Sequence, residues 1–152
     1  MDSKNDLTVR PLEFCDVAEW ERLRFLLWPD LTVGESEPFA QRIFDGDETW
    51  AIFVCESHDA LVGFVEAHLR EYADGCETSP VGYVEGWYVV QDQRRHGIGR
   101  RLLEAAEGWA RSHGCTEMAS DALIDNAVSH LAHRGNGYVE VERMVIFRKP
   151  LS

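Results

Sequence analysis

The sequence predicts an α+β fold, with a largely antiparallel mixed sheet flanked by about four helices. Segments with strand and helix periodicity follow one another in the order β-α-α-β-β-β-α-β-α-β. A tight polar turn joins two apolar runs in the middle of the chain, which indicates a hairpin and therefore antiparallel pairing. The 152 residues, 45% of them hydrophobic, suffice for one core, so we expect a single domain spanning 1–152.

The first third of the chain predicts one strand and two helices. A short strand lies around residues 8–10. Asp16 then caps a helix, with Glu19 as its capping-box partner. Apolar residues recur at helical spacing until Pro29 ends the run, and a second helix covers residues 38–44.

The remaining elements alternate between strands and helices. Residues 50–55 and 61–69 form the hairpin, with a turn at 57–59, and a polar loop follows. The later elements are a strand over 81–90, a main amphipathic helix that starts near residue 98 and is C-capped by Gly114, a short strand over 117–121, a helix over 126–133 and a final long strand over 139–149.

The charge of the chain restricts the class of partner. The formal net charge is −12, which argues against nucleic acid, because nucleic-acid binders present a basic surface. An acidic surface is compatible with a cationic partner, but it can also serve solubility alone. No run of about 18 apolar residues is present, so we expect no membrane span. The polar residues 1–6 lack the apolar core of a signal peptide, which favours a cytoplasmic protein.

Cysteine and histidine positions do not predict a metal site. The four cysteines form no Cys-x-x-Cys pair, so we expect free thiols at Cys15, Cys55, Cys76 and Cys115. His130 and His133 have a helical spacing that would let them share a metal ion. No cysteine or acidic ligand accompanies them at a recognised spacing, so we expect no metal.

A basic, glycine-punctuated turn separates the strand over 81–90 from the main helix. It has the pattern Arg-x-x-Gly-x-Gly over residues 94–99. Unpaired N–H groups at the positive end of a helix dipole, with glycines that permit close approach, suit a pyrophosphate, although the same pattern also occurs in plain tight turns. The chain has neither the Gly-Lys-Ser/Thr of a P-loop nor the three spaced glycines of a dinucleotide fingerprint. The candidate phosphate-binding residues are Arg94, Arg95, His96, Gly97, Ile98, Gly99 and Arg100.

This turn resembles the acetyl-coenzyme A loop of the GNAT superfamily of N-acetyltransferases, and the predicted order of elements is similar to the GNAT layout over essentially the whole chain. The resemblance implies a sheet that is splayed in the middle to admit acetyl-CoA as co-substrate. Relatives often form homodimers in which the long C-terminal strand pairs across the two copies, and exposed strand edges favour such pairing.

Several strings resemble the aminoglycoside 6′-N-acetyltransferases more closely. They lie at residues 23–29, 74–76, 79–80, 84–86, 114–121 and 142–149, and the run Glu-Met-Ala-Ser-Asp over 117–121 is the most specific. The resemblance implies that acetyl-CoA donates its acetyl group to the 6′-amine of a cationic aminoglycoside by direct attack in a ternary complex, which gives antibiotic resistance.

The resemblance also assigns roles to individual residues. The pantetheine arm should lie beside Tyr88 and Val89, and the N–H of Val89 should polarise the acetyl carbonyl. Asn126 matches a residue that contacts the pantetheine arm, although a polar helix N-terminus explains it as well. The chain departs from the superfamily at His133, which stands where many members have a tyrosine that protonates the thiolate. It also has Arg95 where glycine is common, which should be tolerated if the φ of Arg95 is negative.

Two acids are candidates for holding and deprotonating the substrate amine. Glu85 interrupts an apolar strand, and such an acid is either solvated or functional. Asp121 ends the next strand, so both acids could face one cleft and accept the proton directly or through water. The resemblance adds Trp28 and Tyr72 as substrate contacts, and core packing is the alternative for Trp28.

Two other functions are compatible with the sequence. The chain could acetylate a different amine, such as a polyamine, an amino acid or a protein N-terminus, with the same fold and co-substrate. It could also be a non-catalytic acyl-CoA sensor, which would keep the glycine loop but need no paired acids.

Overall fold

A mixed sheet organises the molecule, as the sequence predicts, and within the described residues it has five strands. The computed structural model describes residues 6–152, so the polar stretch 1–5 lies outside it. The strands are β1 (Leu7–Pro11), β2 (Trp50–Ser57), β3 (Ala60–Arg70), β4 (Val81–Val89) and β5 (Met118–Ser120). They lie in sequence order, antiparallel from β1 to β4, and β5 joins β4 in parallel.

The sheet is covered on both faces by helices. Within residues 6–152 the α-helices are α1 (Val17–Leu27), α2 (Ser36–Phe44), α3 (Ile98–Ser112) and α4 (Ala127–Gly135). One core lies between α3 and the sheet and includes Val65, Val84, Leu102, Leu103 and Ala106. A second core lies under α1 and α2 and includes Trp20, Leu23, Ile52, Val54 and Phe64. No helix in this part of the chain combines the length and apolar character needed to cross a membrane.

The predicted capping box at the start of α1 is wrong. Asp16 is the N-cap residue, but its carboxylate accepts hydrogen bonds from Arg10 at 2.6 and 3.0 Å instead of from the helix. Its Oδ2 also accepts from the N–H of Glu13 at 2.8 Å. Glu19 accepts from the N–H of Leu61 at 3.0 Å, and so ties α1 to the hairpin. Arg10 is charged and binds both carboxylate oxygens of Asp16, whereas a helix N–H is neutral and would bind one, which explains the exchange.

The predicted final strand over 139–149 is also wrong. Residues 138–152, after α4, have no regular secondary structure. A strand needs a hydrogen-bonding partner, and in the described chain the sheet ends at β5. The apolar side chains of this tail are therefore exposed, at Val139, Val141, Met144, Val145, Ile146, Phe147 and Leu151. We refer to residues 139–152 as the C-terminal tail.

A buried ion pair joins α1, α2 and β3. The Nε of Arg24 donates to Glu66 Oε1 at 2.7 Å, and its Nη1 donates to the hydroxyl of Ser36 at 2.8 Å. The guanidinium lies 4.8 Å from the ring of Trp20 and 5.4 Å from that of Trp28, within cation–π range. Glu66 is only 2% exposed, and this burial raises its pKa to about 7 in spite of Arg24.

Glu66 should make the stability of the fold depend on pH. Between its unfolded pKa of 4.5 and its folded pKa of about 7, the folded state holds a proton that the unfolded state has lost. Stability therefore falls as pH rises through this window and levels off above it. We expect the free energy of unfolding of the wild type, measured relative to Glu66→Gln, to fall by about 1–3 kcal/mol from pH 5 to pH 7. Urea unfolding at a series of pH values measures it, and parallel curves for the two proteins would contradict it.

Candidate active site

The gap between β4 and β5 is the central feature of the site. The two strands pair only along Gly82–Val84 and Met118–Ser120, so the later part of β4 has an open edge on that side in the described chain. Val90 N–H donates to the carbonyl of Val62 at 2.9 Å. In an antiparallel ladder the N–H groups alternate in direction, so the N–H of Val89 points away from β3 and toward the gap.

The loop after β4 leads directly into the N-terminus of α3. The first helical hydrogen bond runs from Arg101 N–H to the carbonyl of Gly97, at 3.1 Å. The N–H groups of residues 98–100 therefore have no helix carbonyl to bind and lie at the positive end of the helix dipole. Gly97 has a φ of +77°, and nothing lies within 4 Å of the position where a Cβ would stand. The loop thus offers an open set of N–H donors that fits a diphosphate.

The second glycine of the motif has a packing role. A Cβ at Gly99 would lie 2.9 Å from Cζ2 of Trp87. The indole N–H of Trp87 donates to the carbonyl of Gly99 at 3.1 Å. The absence of a side chain at Gly99 therefore lets α3 approach β4 closely, and Gly97 is the glycine that opens the loop toward a ligand.

The arginines of the loop differ in what they contact. Arg94 folds back on β4, where its Nε donates to the carbonyl of Val89 at 2.9 Å. This contact occupies the carbonyl of Val89 and leaves its N–H free for a ligand. Arg100 pairs with Glu104 at 3.1 Å on the surface of α3. Arg95 has a φ of +67°, so the condition of a negative φ is not met, and a non-glycine residue occupies the left-handed region.

Glu85 is neither free nor simply solvated. It lies where β4 bulges opposite the Glu66–Ala67 step of β3. Both of its carboxylate oxygens accept from Arg70, each at 2.8 Å, and His68 Nδ1 lies 3.6 Å away. This bidentate pair fixes the direction of the carboxylate.

Tyr83 and Arg70 link the two predicted acids. The hydroxyl of Tyr83, on β4, donates to Asp121 at 2.5 Å. This hydrogen bond connects β4 with the residue that follows β5. The guanidinium of Arg70 lies 3.5 Å from the centre of the Tyr83 ring while it binds Glu85. Burial, together with Asp121, raises the pKa of the Tyr83 hydroxyl, so it stays a neutral donor. The structure thus brings Glu85 and Asp121 into one network at the start of the gap, and sequence reasoning missed both linking residues.

Trp28 and Tyr72 lie on two separate loops. Trp28 follows α1, and its indole ring packs on β4 at Gly86, the residue after Glu85. A Cβ at Gly86 would lie only 2.4 Å from Cη2 of this ring. Trp28 is partly buried and also contacts Phe64, at 6.2 Å between ring centres, so the core-packing alternative accounts for part of its surface. Tyr72 is 69% exposed, and its hydroxyl donates to Asp74 at 3.0 Å.

Asn126 and His133 bind other groups of this chain. Asn126 caps α4, and its Oδ1 accepts from the N–H of Ser129 at 3.1 Å. The Nδ1 of His133 lies 2.7 Å from the carbonyl of Ser129, and its Nε2 lies 2.7 Å from the hydroxyl of Ser120. A carbonyl can only accept, so this network assigns the proton of the neutral imidazole to Nδ1. Nε2 then accepts from Ser120, and the neutral ring has no proton to give toward the gap.

Comparison with known proteins identifies the class. The model of the Acetyltransferase (GNAT) family matches residues 17–138. The chain belongs to this family of acyltransferases, and the splayed sheet and the open N–H loop are the parts of the fold that the sequence resemblance had implied.

Within the family the chain is similar to a particular group of enzymes. It is 42% identical over 146 residues to an aminoglycoside N(6′)-acetyltransferase type 1 of Stenotrophomonas maltophilia, covering 95% of this chain and 94% of that protein. The solved structure of aminoglycoside N-acetyltransferase AAC(6′)-Iy in complex with CoA has a TM-score of 0.92 at 30% identity and covers 98% of both chains. AAC(6′)-Iy in complex with the bisubstrate analogue CoA-S-monomethyl-acetylneamine has a TM-score of 0.89 at 31% identity, covering 95% of this chain and 98% of that one.

The positive φ of Arg95 should cost stability. A left-handed conformation costs a non-glycine residue about 1–2 kcal/mol, and glycine removes this cost. The larger unfolded-state entropy of glycine offsets part of that gain in stability. We expect Arg95→Gly to raise the free energy of unfolding by up to about 1 kcal/mol.

Urea unfolding measures this difference, and Arg94→Gly is the matched control. It removes the same charge one residue earlier, where φ is −70° and the side chain binds Val89, so it should destabilise. Loss of stability in Arg95→Gly as large as in Arg94→Gly would contradict the argument.

Proposed function

We propose that this chain transfers the acetyl group of acetyl-CoA to the 6′-amino group of aminoglycoside antibiotics, by direct attack in a ternary complex, and so gives resistance. The single observation that carries the proposal is the network that holds Glu85 and Asp121 together at the start of the gap. Support also comes from relatives named aminoglycoside N(6′)-acetyltransferases and from AAC(6′)-Iy bound to CoA and to a bisubstrate analogue.

The loop and the open edge of β4 are suited to hold the co-substrate. The N–H groups of residues 98–100 bind the diphosphate, with Arg95, His96 and Arg100 on the exposed surface around it. The pantetheine arm pairs with the edge of β4 near Tyr88 and Val89 as an added strand would, and the free amide hydrogens of Asn126 reach it from α4. Acetyl-CoA supplies an activated acetyl group as a thioester, and the N–H of Val89 is the donor placed to polarise its carbonyl.

The acids act on the acceptor amine. An aminoglycoside amine is an ammonium at neutral pH, and it must lose a proton before it attacks. Glu85 and Asp121 bind this ammonium and accept the proton, directly or through water. Trp28 offers an aromatic surface on β4 at the neighbour of Glu85, and the exposed ring of Tyr72 offers another. The net charge of −12 attracts a polycation from a distance.

Neutral variants of the two acids test the function. We expect Glu85→Gln and Asp121→Asn each to lower kcat/KM for kanamycin by about 10²-fold or more, because proton transfer to a positioned carboxylate contributes on this scale. The dissociation constant for CoA, measured by calorimetry, should stay within about twofold, since neither acid contacts the loop. Glu48→Gln, which neutralises an exposed acid before β2, is the control and should behave as the wild type.

The acceptor panel separates the competing functions in a thiol-release assay. Kanamycin should turn over, whereas paromomycin, which carries a 6′-hydroxyl, should not. Turnover of a polyamine, an amino acid or a peptide N-terminus in place of kanamycin would point to a different acceptor. Binding of CoA without turnover of any amine would favour the alternative that the protein is a non-catalytic acyl-CoA sensor.

The compartment we propose is the cytoplasm. All four cysteines are free thiols, at Cys15, Cys55, Cys76 and Cys115. Free thiols are typical of reducing compartments.

We also propose that the chain forms a homodimer through its C-terminal tail. The tail exposes a run of apolar side chains that soluble monomers rarely leave in contact with water. The outer edge of β5 has no partner strand in the described chain, and unpaired edges are templates for another strand. The tail of a second copy supplies such a strand, and the sequence pattern of residues 139–149 is that of a strand.

A charge in the tail should break the dimer. Val145 is 76% exposed, and Val145→Asp should convert a species of twice the chain mass into a single chain, measured by light scattering after size exclusion. The matched control is Val33→Asp, at an equally open valine (83% exposed) in the loop between α1 and α2, which should leave the mass unchanged. A wild-type mass equal to one chain would contradict the proposal.

A further inference from the structure

The chain contains two arginine–glutamate pairs that differ in how easily they can open. The Arg24–Glu66 pair is sealed, since its side chains are 10% and 3% exposed. The side chains of Arg70 and Glu85 are 37% and 20% exposed. Separating a sealed pair leaves two charges without water, whereas an exposed arginine can exchange its carboxylate for solvent at a cost of about 0–1 kcal/mol.

Arg70 is placed to move without disturbing the fold. It is the last residue of β3, next to the loop over residues 71–80, whereas Glu85 lies inside β4. Its side chain is long and flexible, and its guanidinium lies over the face of the Tyr83 ring while it binds Glu85. A rotamer change of Arg70 therefore releases both contacts, while the backbone of Glu85 stays inside β4.

The position that Arg70 occupies has the chemistry of an ammonium site. The carboxylate of Glu85 lies on one side of the guanidinium, and the face of the Tyr83 ring lies 3.5 Å from it. The hydroxyl of the same ring binds a second carboxylate, that of Asp121. Carboxylates and aromatic faces are the groups that recognise organic ammonium ions. A cation of this chain thus fills the place where a cationic substrate would bind.

We propose that Arg70 is an internal competitor for the acceptor ammonium, which must displace the guanidinium from Glu85 before it can bind there. The proposal rests on the proposed function only in taking Glu85 as the residue that binds the acceptor. Exchange of one cation for another at Glu85 is close to neutral, so a single ammonium gains little by displacing Arg70. A polycation gains from its further charges in the acidic surroundings, and so displaces the guanidinium.

Binding measured without turnover tests the exchange. We expect Arg70→Gln to bind kanamycin about two- to fivefold more tightly than the wild type at low salt, by calorimetry, which corresponds to the strength of a partly exposed ion pair. The gain should be of similar size for 6-amino-6-deoxyglucose, a single ring with one ammonium, because an internal competitor lowers the affinity of every ligand that displaces it by the same factor. Arg22→Gln on the exposed side of α1 removes the same charge from the protein and should leave both affinities unchanged.

The opposite outcome has a clear meaning. If Arg70 only orients Glu85, its removal weakens kanamycin binding or leaves it unchanged, and either result overturns the proposal. Equal tightening in Arg22→Gln would reduce the effect to overall charge and would also overturn it.

A second variant keeps the test decisive if the glutamine variant does not fold. Arg70→Lys keeps the charge but loses the bidentate contact, so it should tighten binding in the same direction by a smaller factor. Failure of Arg70→Lys to do so counts against the proposal. Turnover of kanamycin by the wild type decides the proposed function separately, because the binding comparison needs no reaction.

Discussion

The early separation of β5 from β4 is the constraint on which the site depends. The two strands share three residue pairs and then diverge. A continued parallel ladder would use the N–H groups of Trp87 and Val89, and the space beside them would be filled by a strand. Because the ladder stops, the sheet keeps unpaired backbone donors in its interior, next to the N-terminus of α3. The fold therefore leaves backbone polar groups unmatched beside the loop, where a ligand can satisfy them.

Two arginine–glutamate pairs of this protein differ in their exposure. In the interior, Arg24 and Glu66 hold the first two helices to the sheet, and the guanidinium also lies within cation–π range of two tryptophan rings. At the start of the gap, Arg70 and Glu85 form a similar pair that solvent can reach. The same two residue types thus stabilise the fold in one place and remain exchangeable in another, and the difference between the two pairs is their burial.

Much of the fold could be predicted from the sequence because its signals are local. Periodicity placed the hairpin and the main helix, and Gly114 ends that helix with a φ of +84°, as a C-cap signal predicts. The predictions that were wrong depended on partners distant in sequence. Asp16 binds Arg10 in place of its helix, and the tail has strand periodicity but no neighbouring strand.

The candidate site shows the same division. The loop over residues 94–99 was recognisable from its pattern, and the acids from their position in or beside strands. Arg70 and Tyr83 could not be assigned, because their contact with the acids depends on strand register and on the bulge at Glu85. The left-handed φ of Arg95 could not be predicted from the sequence either, because arginine by itself favours a negative φ.

The contact between Gly86 and Trp28 has a consequence for how this protein can evolve. The indole ring of Trp28 rests directly on the main-chain atoms of Gly86, with no room for even a methyl group between them. Glycine already has the smallest side chain, so no substitution of Gly86 lets the indole ring pack closer to β4. Substitution of Gly86 can only lift the ring, at the expense of the packing beneath it. Adaptation to new substrates is therefore left to the loops that frame the opening, where insertions and exchanges are tolerated.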